Sequence, residues 1–533
     1  MDALDVLVVG AGPVGLTVAH ELRRRGAGVR VVDRADGPAP TSRATATHAR
    51  TLEVYHQMGV LDELLARGQR VGHFSMHRGG RMLARLGTDY SELPTRFPFT
   101  LQIDQVFTEE VLRKKLSELG VDVEWSCEVT GLVQDKRGAT AKLTRDGGTE
   151  ELTVPWLVGA DGAHSFVRRS LGLKLLGDSI ETWLVADAMI DLDLPRDSLH
   201  WLHTGNGTVL LVPFATPGKW RLLDTVDVED ADDYAAVGAR FAEKLKRALG
   251  KPVEVSTPTW VSAFTIQQRM IPSMRSGRCF VAGDAAHVHS PASGQGMNTG
   301  IQDAHNLGWK LAQVVRGEAD ESLLDSYGEE RVPVGEVLLG STKTATALIA
   351  LRNFAAPVML PLGLGILKRV TPLRRKIERK ILRGMSGLAL NYRESPLSQG
   401  IEEADVLQAG DRVGCSAETE QASPGWRALC AELADPRWLL LTFPGDEAGF
   451  GRTLTEISDE YRSVVSVRTV STMDSFPNRL ADPGNLLRSG LDAEEGDFLL
   501  VRPDGYLAAR GKLDGTDLTS VLGRVHLRPK ADR

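Results

Sequence analysis

Short continuous apolar runs alternate along the chain with stretches whose apolar residues recur three and four apart, the pattern of an α/β protein. The first run, Leu4 to Val9, leads into Gly10-Ala11-Gly12-Pro13-Val14-Gly15. A helix with Leu16, Ala19 and Leu22 inward follows and ends at Gly26. A second run, Val29 to Val32, ends in Asp33. Strand, glycine-rich turn, helix and an acid at the tip of the second strand make a dinucleotide fingerprint in its proper context. Its glycines serve the tight turn, the approach of a pyrophosphate and helix–strand packing, while Asp33 accepts from a ribose hydroxyl.

The stretch from Arg278 to Leu311 has the same grammar. A buried strand, Cys279 to Ala282, runs into Gly283-Asp284 and a polar loop. A helix then begins in Gly294-Gln295-Gly296-Met297-Asn298, buries Ile301, Ala304, Leu307, Gly308 and Leu311, and stops near Gly317. Glycines at a helix start let backbone approach a ligand, and first-turn amides favour an anion.

Between these stretches lies a loop rich in small and basic residues, Thr41 to Arg50, continued by a helix towards Met58. Its Arg43 and Arg50 either pair with phosphate, carboxylate or a carbonyl-rich ring or lie as solvated surface charge. Gln105 opens a helix with Val111, Leu112 and Leu116 as its apolar face. Val121 to Val154 predicts strands with a turn at Asp146-Gly147-Gly148. Another buried strand then ends in Asp161-Gly162, with Ser165 and Arg168 just beyond; this is either a plain turn or a second ligand-facing one. Thr182 to Phe264 predicts hairpins, one turning at Gly205-Asn206-Gly207, and one helix at about Tyr234 to Leu249. Together with Gly72 to Phe99, this is the expected place for a substrate.

Past Gly317 the chain reads as helical to about Ser386. The apolar segment Ala355 to Leu367 is broken by Pro357 and Pro361 and is too short to span a bilayer. Lys368 to Arg383 carries eight basic residues beside Ile377, Ile381 and Leu382. An intramolecular clasp or a dimer-contact helix is expected there, with a membrane-surface helix as the alternative. After about residue 400 a βαβ followed by ββα, from the strand Trp438 to Phe443 to a final helix, is a thioredoxin-like order. Redox chemistry there needs Cys-x-x-Cys, and Pro444-Gly445-Asp446-Glu447 stands in its place.

At 533 residues two or three domains are expected. A net charge of −7 offers no electrostatic case for nucleic acid. Four cysteines without metal or disulfide spacing suit a reducing cytosol, and no leader-like segment precedes the first strand, so a cytoplasmic enzyme is expected.

The order GxGxxG, a mid-chain Asp-Gly turn and GDAAHxxxPxxGQGMN resembles the class A flavoprotein monooxygenases of the para-hydroxybenzoate hydroxylase fold. The thioredoxin-like tail points to their phenol, pentachlorophenol, rifampicin and aromatic polyketide hydroxylase branch. The resemblance implies a Rossmann-like (GR2-type) FAD-binding domain over 1–71, 100–181 and 265–390. It further implies an interleaved substrate sheet over 72–99 and 182–264 and a thioredoxin-like unit over 400–533. Gly10, Gly12, Gly15, Asp33 and Arg34 would serve the ADP half of FAD, Arg43 and Gln105 would contact the cofactor, and Asp284 the ribityl–phosphate region. Pro291 and Gly294, Gly296, Met297 and Asn298 would frame the isoalloxazine, and Asp161 belongs to a motif linked to FAD and NAD(P)H. The implied chemistry is reduction of FAD by NADPH or NADH and then oxygen transfer from a C4a-hydroperoxide to a phenolic or polycyclic aromatic ring. Baeyer–Villiger insertion and a non-oxygenating flavin protein are the alternatives. Arg43 and His48 are the candidate catalytic residues, with His77, His200 and His203 behind them as bases. A small aromatic substrate and O2 are the expected partners, with a homodimer as a further option.

Overall fold

The computed structural model describes residues 3–145, 147–205, 207–289, 294–350, 371–400, 407–443, 451–473, 478–513 and 518–530. Pro291, Asp146, Asn206, the apolar segment 355–367 and the stretch 444–447 lie outside the described residues.

The three runs expected to be buried strands lie side by side. Val6–Val9 pairs in parallel with Trp156–Gly159 on one side and Val29–Val32 on the other, and Trp156–Gly159 pairs in parallel with Cys279–Val281. Arg275–Ser276 and Val123–Glu124 complete a six-stranded sheet at its two edges. Such strands are almost wholly apolar because both faces of the sheet are covered, one by helices and the other by a small antiparallel sheet. Their carboxyl ends share one edge, so the turns at Gly10, Asp161 and Gly283 all leave the sheet there, the usual place for a ligand in an open α/β sheet.

The strands expected in 121–154 include a three-stranded meander, Glu128–Gln134, Ala139–Arg145 and Gly148–Val154. A larger sheet of eight strands combines His73–Arg78 and Arg81–Gly87 with Ser198–His203, Thr208–Pro213 and Lys219–Asp224. Two long strands, Leu176–Met189 and Trp260–Met270, and the short His287–Val288 finish it. Leu176–Met189 begins six residues before the Thr182 expected from the pattern. A register shift between Ser179 and Thr182 breaks its pairing and obscures the alternation. The helix Tyr234–Leu249 covers one face of this sheet, packing Val237, Phe241 and Leu245 on Leu184, Leu211 and Leu222.

The third large sheet runs in the order Gln399–Gly400, Leu507–Lys512, Asp497–Val501, Trp438–Phe443, Val465–Ser471, Arg479–Ala481. Its Trp438–Phe443 and Val465–Ser471 are parallel and joined by the helix Gly451–Glu460, while Asp497–Val501 and Leu507–Lys512 form an antiparallel hairpin. This is the βαβ–ββα arrangement read from the sequence. Among the described residues no helix is long and apolar enough to cross a membrane.

Candidate active site

Around the first turn the glycines divide their work. A Cβ on Gly10 (φ +106°) would lie 2.4 Å from the carbonyl of Ala160, and one on Gly15 would lie 1.9 Å from the carbonyl of Gly10. Both are fixed by packing. A Cβ on Gly12 would meet nothing within 4 Å, so the space before this backbone is open to a ligand. The helix Pro13–Arg23 starts there without a side-chain cap, leaving its first amides for an anion. Asp33 tightens the turn itself: Oδ2 accepts from the Ala11 amide at 2.7 Å and Oδ1 from the Ala35 amide at 2.9 Å. Arg34 is exposed beside it.

The second motif meets the first across the sheet edge. A Cβ on Gly300 would lie 2.7 Å from Val14 Cγ2, which ties the two helices together. The side chain of Asp284 is open to solvent, yet it lies deep among protein groups. That loss of solvation raises its carboxyl above the usual range, against the pull of His287 and Arg43. A Cβ on Gly296 would come within 4.0 Å of Asp284 Oδ1, so the uncapped start of the helix Gly296–Val315 and this carboxyl face one space. Asn298 is a clamp: its Oδ1 accepts from the His48 amide at 2.8 Å, and its Nδ2 donates to the carbonyls of Ala46 (2.8 Å) and Gly294 (2.7 Å). These bonds fix the Thr41–Arg50 loop to the second turn. Gly294 (φ +63°) has Ala46 Cβ 2.8 Å and His48 Nε2 3.6 Å from where its own Cβ would sit, so a side chain there would collide with the loop. Met297 packs on the core below.

Arg43 is exposed and close enough to stabilise both Asp284 and Glu109. Gln105 Oε1 accepts from the Ala44 amide at 3.0 Å, and its Nε2 donates to Glu109 at 2.8 Å. Glu109 escaped the sequence reading, although a Gln and a Glu four apart on a helix are a recognisable pair. Burial raises its carboxyl, with Gln105 and Arg113 opposing. Asp161 sits beside Gly10 but spends its oxygens on a cap, accepting from Ser165 Oγ (2.5 Å), the Phe166 amide (2.6 Å) and the Val167 amide (3.1 Å). Arg168 donates onward to the carbonyl of Ala285 at 3.2 Å, so this turn props the Asp284 turn.

Not every candidate joins this neighbourhood. Arg50 is buried, paired with Glu53 at 3.0 Å, donating to the carbonyl of Asp504 at 2.6 Å and lying 5.0 Å from the centre of the Tyr506 ring. It serves the C-terminal unit rather than a phosphate. His77 and His200 bond each other at 3.0 Å on the side of the eight-stranded sheet that faces the helix Tyr234–Leu249, and burial lowers both pKa values, that of His77 to about 4. His48 is buried, with Nδ1 3.1 Å from Thr100 Oγ1. A chain missed by the sequence reading runs below the second turn: His289 to His287 at 2.8 Å, His287 to Asp303 at 2.6 Å, and Asp303 to Arg331 at 2.7 Å.

The other face of the eight-stranded sheet looks toward these residues. Arg221 forks onto Asp187 (2.8 and 2.9 Å) and donates to the carbonyls of Ser42 (2.6 Å) and Arg43 (2.7 Å). Trp183, Leu210, Val212 and Leu223 pack on this face with Phe74, Trp201, Trp260 and Phe264. An aromatic-lined wall therefore stands against the double glycine cradle.

Open backbone at Gly12, two uncapped helix starts and an acid beside each form a cradle that suits the phosphates and hydroxyls of a flavin dinucleotide. The FAD binding domain family matches residues 3–342, and the chain belongs to that family. It is 56% identical over 532 residues to the 6-methylpretetramide 4-monooxygenase of Streptomyces rimosus, covering 99% of this chain and 95% of that protein. It is 32% identical over 527 residues to the pentachlorophenol 4-monooxygenase of Sphingobium chlorophenolicum, covering 96% and 95%. Among solved structures, the flavin-dependent monooxygenase PieE in complex with FAD and substrate superposes with a TM-score of 0.81 at 26% identity, covering 98% of each chain. The chain is an FAD-dependent aromatic monooxygenase.

Proposed function

We propose that this monooxygenase hydroxylates a phenolic ring of a fused polycyclic aromatic of the polyketide type. The observation that carries the reading is 56% identity, along nearly the whole of both chains, to a monooxygenase named for 6-methylpretetramide. The aromatic-lined face of the eight-stranded sheet supports it, since flat fused rings stack on Trp and Phe. When bound, FAD takes reducing equivalents from NADPH or NADH and activates O2 for transfer to the ring.

The chain's own residues bind and orient. Gly12 leaves its backbone open to the pyrophosphate, and Gly10 and Gly15 hold the turn that presents it; Asp33 and Asp284 accept from ribose and ribityl hydroxyls; Arg34, Arg43 and Gln105 line the cofactor's course. Asp161 holds its turn in place, and Gly294, Gly296, Met297 and Asn298 bound the ring end, where the helix start favours negative charge by roughly 0.3–2 kcal/mol. His48, beneath the Gly294 turn, is assigned as the base for the phenolic proton. The enzyme works in the cytoplasm, where NAD(P)H is supplied. The test is aerobic turnover of the purified yellow protein with fused tetracyclic phenols and NADPH or NADH, with products read by mass. A gain of one oxygen atom per reduced nicotinamide consumed is expected. Nicotinamide oxidation that yields only hydrogen peroxide with every polycyclic phenol would remove the reading.

A further inference from the structure

Three buried polar atoms on the aromatic wall have no hydrogen-bond partner among the described residues: Trp201 Nε1, His203 Nε2 and Thr208 Oγ1. Burying such a group unpaired costs free energy, so a native structure with three on one surface calls for an explanation. Strand alternation places them together. Leu199, Trp201 and His203 share a face, as do Thr208, Leu210 and Val212, and Leu199, Leu210 and Val212 belong to the wall. His203 is directly opposite Thr208, and Trp201 is opposite Leu210.

The register orders the wall into rows by distance from the flavin loop. The row Val212, Arg221, Asp187, Trp260 is nearest, because Arg221 bonds the carbonyls of Ser42 and Arg43. Trp201, Leu210, Leu223 and Val185 form the next row. His203 and Thr208 lie one row further, four residues along the strand from Val212, which is about 13 Å at the usual rise. A single phenol ring held at the flavin could not reach them; several fused rings could.

We infer that Trp201, His203 and Thr208 form a recognition point for a polar group, of the carboxamide type, on the far ring of a fused polycyclic substrate. The inference rests on the polycyclic reading above and adds the residues that select the far end. Trp201 donates, Thr208 donates or accepts, and a neutral His203 does either, so together they match a group carrying both a carbonyl and N–H. Burial lowers the His203 pKa, which favours the neutral ring.

The test uses the FAD-loaded enzyme and two naphthacene phenols that differ only in a far-ring carboxamide, with binding followed by perturbation of the flavin absorbance. Trp201→Phe and Thr208→Val each remove one polar atom, the second nearly isosterically. Each is expected to weaken binding of the carboxamide compound roughly ten-fold and to leave binding of the other within two-fold. The thermal stability of Thr208→Val should hold or rise, since an unpaired buried hydroxyl is lost. Equal effects on both compounds, or none on either, would overturn the inference while leaving the hydroxylase reading intact. Wild-type enzyme that binds neither compound would overturn the polycyclic reading and this inference with it.

Discussion

Asp33 and Asp284 both stand at strand ends, but their surroundings give them different work. Asp33 already braces the Ala11 amide of the glycine-rich turn and the Ala35 amide of its own, so Asp33→Asn weakens both the turns and the hydroxyl contact. Losing a charged hydrogen bond costs roughly 1.5–3 kcal/mol, and FAD affinity is expected to fall about ten-fold or more, measured by titration of the apoprotein. Asp284 adds a pH dependence. Its folded pKa is raised by the protein groups that crowd it and weaken its solvation, so in the window above the ordinary carboxyl value the native state holds more protons than the unfolded state. Its contribution to stability therefore falls as pH rises through that window. FAD hydroxyls favour the ionised form, so FAD affinity should fall as pH drops through the raised value. Asp284→Asn should remove that slope, and an unchanged slope in the variant would exclude Asp284 as its source. The backbone carbonyl of Arg43 accepts from Arg221, and its guanidinium is exposed. Such a planar cation can stack on a ring that moves. Arg43→Ala should slow flavin reduction by NADPH more than it slows hydroxylation, as resolved by rapid-mixing absorbance.

Elements whose signals are local were legible in the sequence. The helix Tyr234–Leu249 is found with the predicted bounds because its ends are chemically marked. Asp233 accepts from the Ala236 amide at 2.9 Å, and Gly250 closes the helix in the left-handed conformation. Contacts made across the fold were not legible. Spacing showed no pairing of Cys415 with Cys430, yet their sulfurs are 3.8 Å apart in the C-terminal core. They lie in a packed apolar cluster away from the cradle, so the Cys415→Ala, Cys430→Ala double variant should keep its full kcat. The basic helix Thr371–Met385 is an intramolecular clasp. Arg379 pairs with Asp89 (3.0 Å) and Glu92 (2.7 Å), Arg383 with Glu92 (3.0 Å), and Glu378 accepts from the Gly87 amide (3.0 Å). Half-exposed pairs of this kind contribute about 0–1 kcal/mol each. Arg379→Ala should thus leave the melting temperature nearly unchanged while speeding amide exchange in 87–92.

At the scale of the whole molecule, the C-terminal unit is a structural partner of the flavin helix. Trp309 of the helix Gly296–Val315 packs edge-on against Trp438 with ring centres 5.4 Å apart, in a core shared with Leu440, Phe498 and Leu522. This explains why that helix is buried on its polar side as well, which its apolar stripe alone could not announce. Beside this core four charges meet without solvent. Glu330 pairs with Lys310 (2.8 Å) and Arg502 (2.6 Å), and Arg502 pairs with Asp504 (2.7 Å), which also accepts from Trp309 Nε1 (3.1 Å). Burial would raise the Glu330 carboxyl, but Arg502 and Lys310 hold it well below the ordinary range. A buried network is a poor source of net stability when whole and a costly one to break. Arg502→Met would leave Asp504 without its cation and Glu330 with only one of two, an expected loss of about 3–5 kcal/mol. Because the same helix starts at Gly296 beside Asp284, the damage should not stay in the C-terminal unit. The variant should lose its flavin and its fold in one thermal transition, with absorbance at the flavin band and tryptophan emission changing together. Two separate transitions, with flavin retained past the first, would show that the C-terminal sheet unfolds independently of the flavin helix.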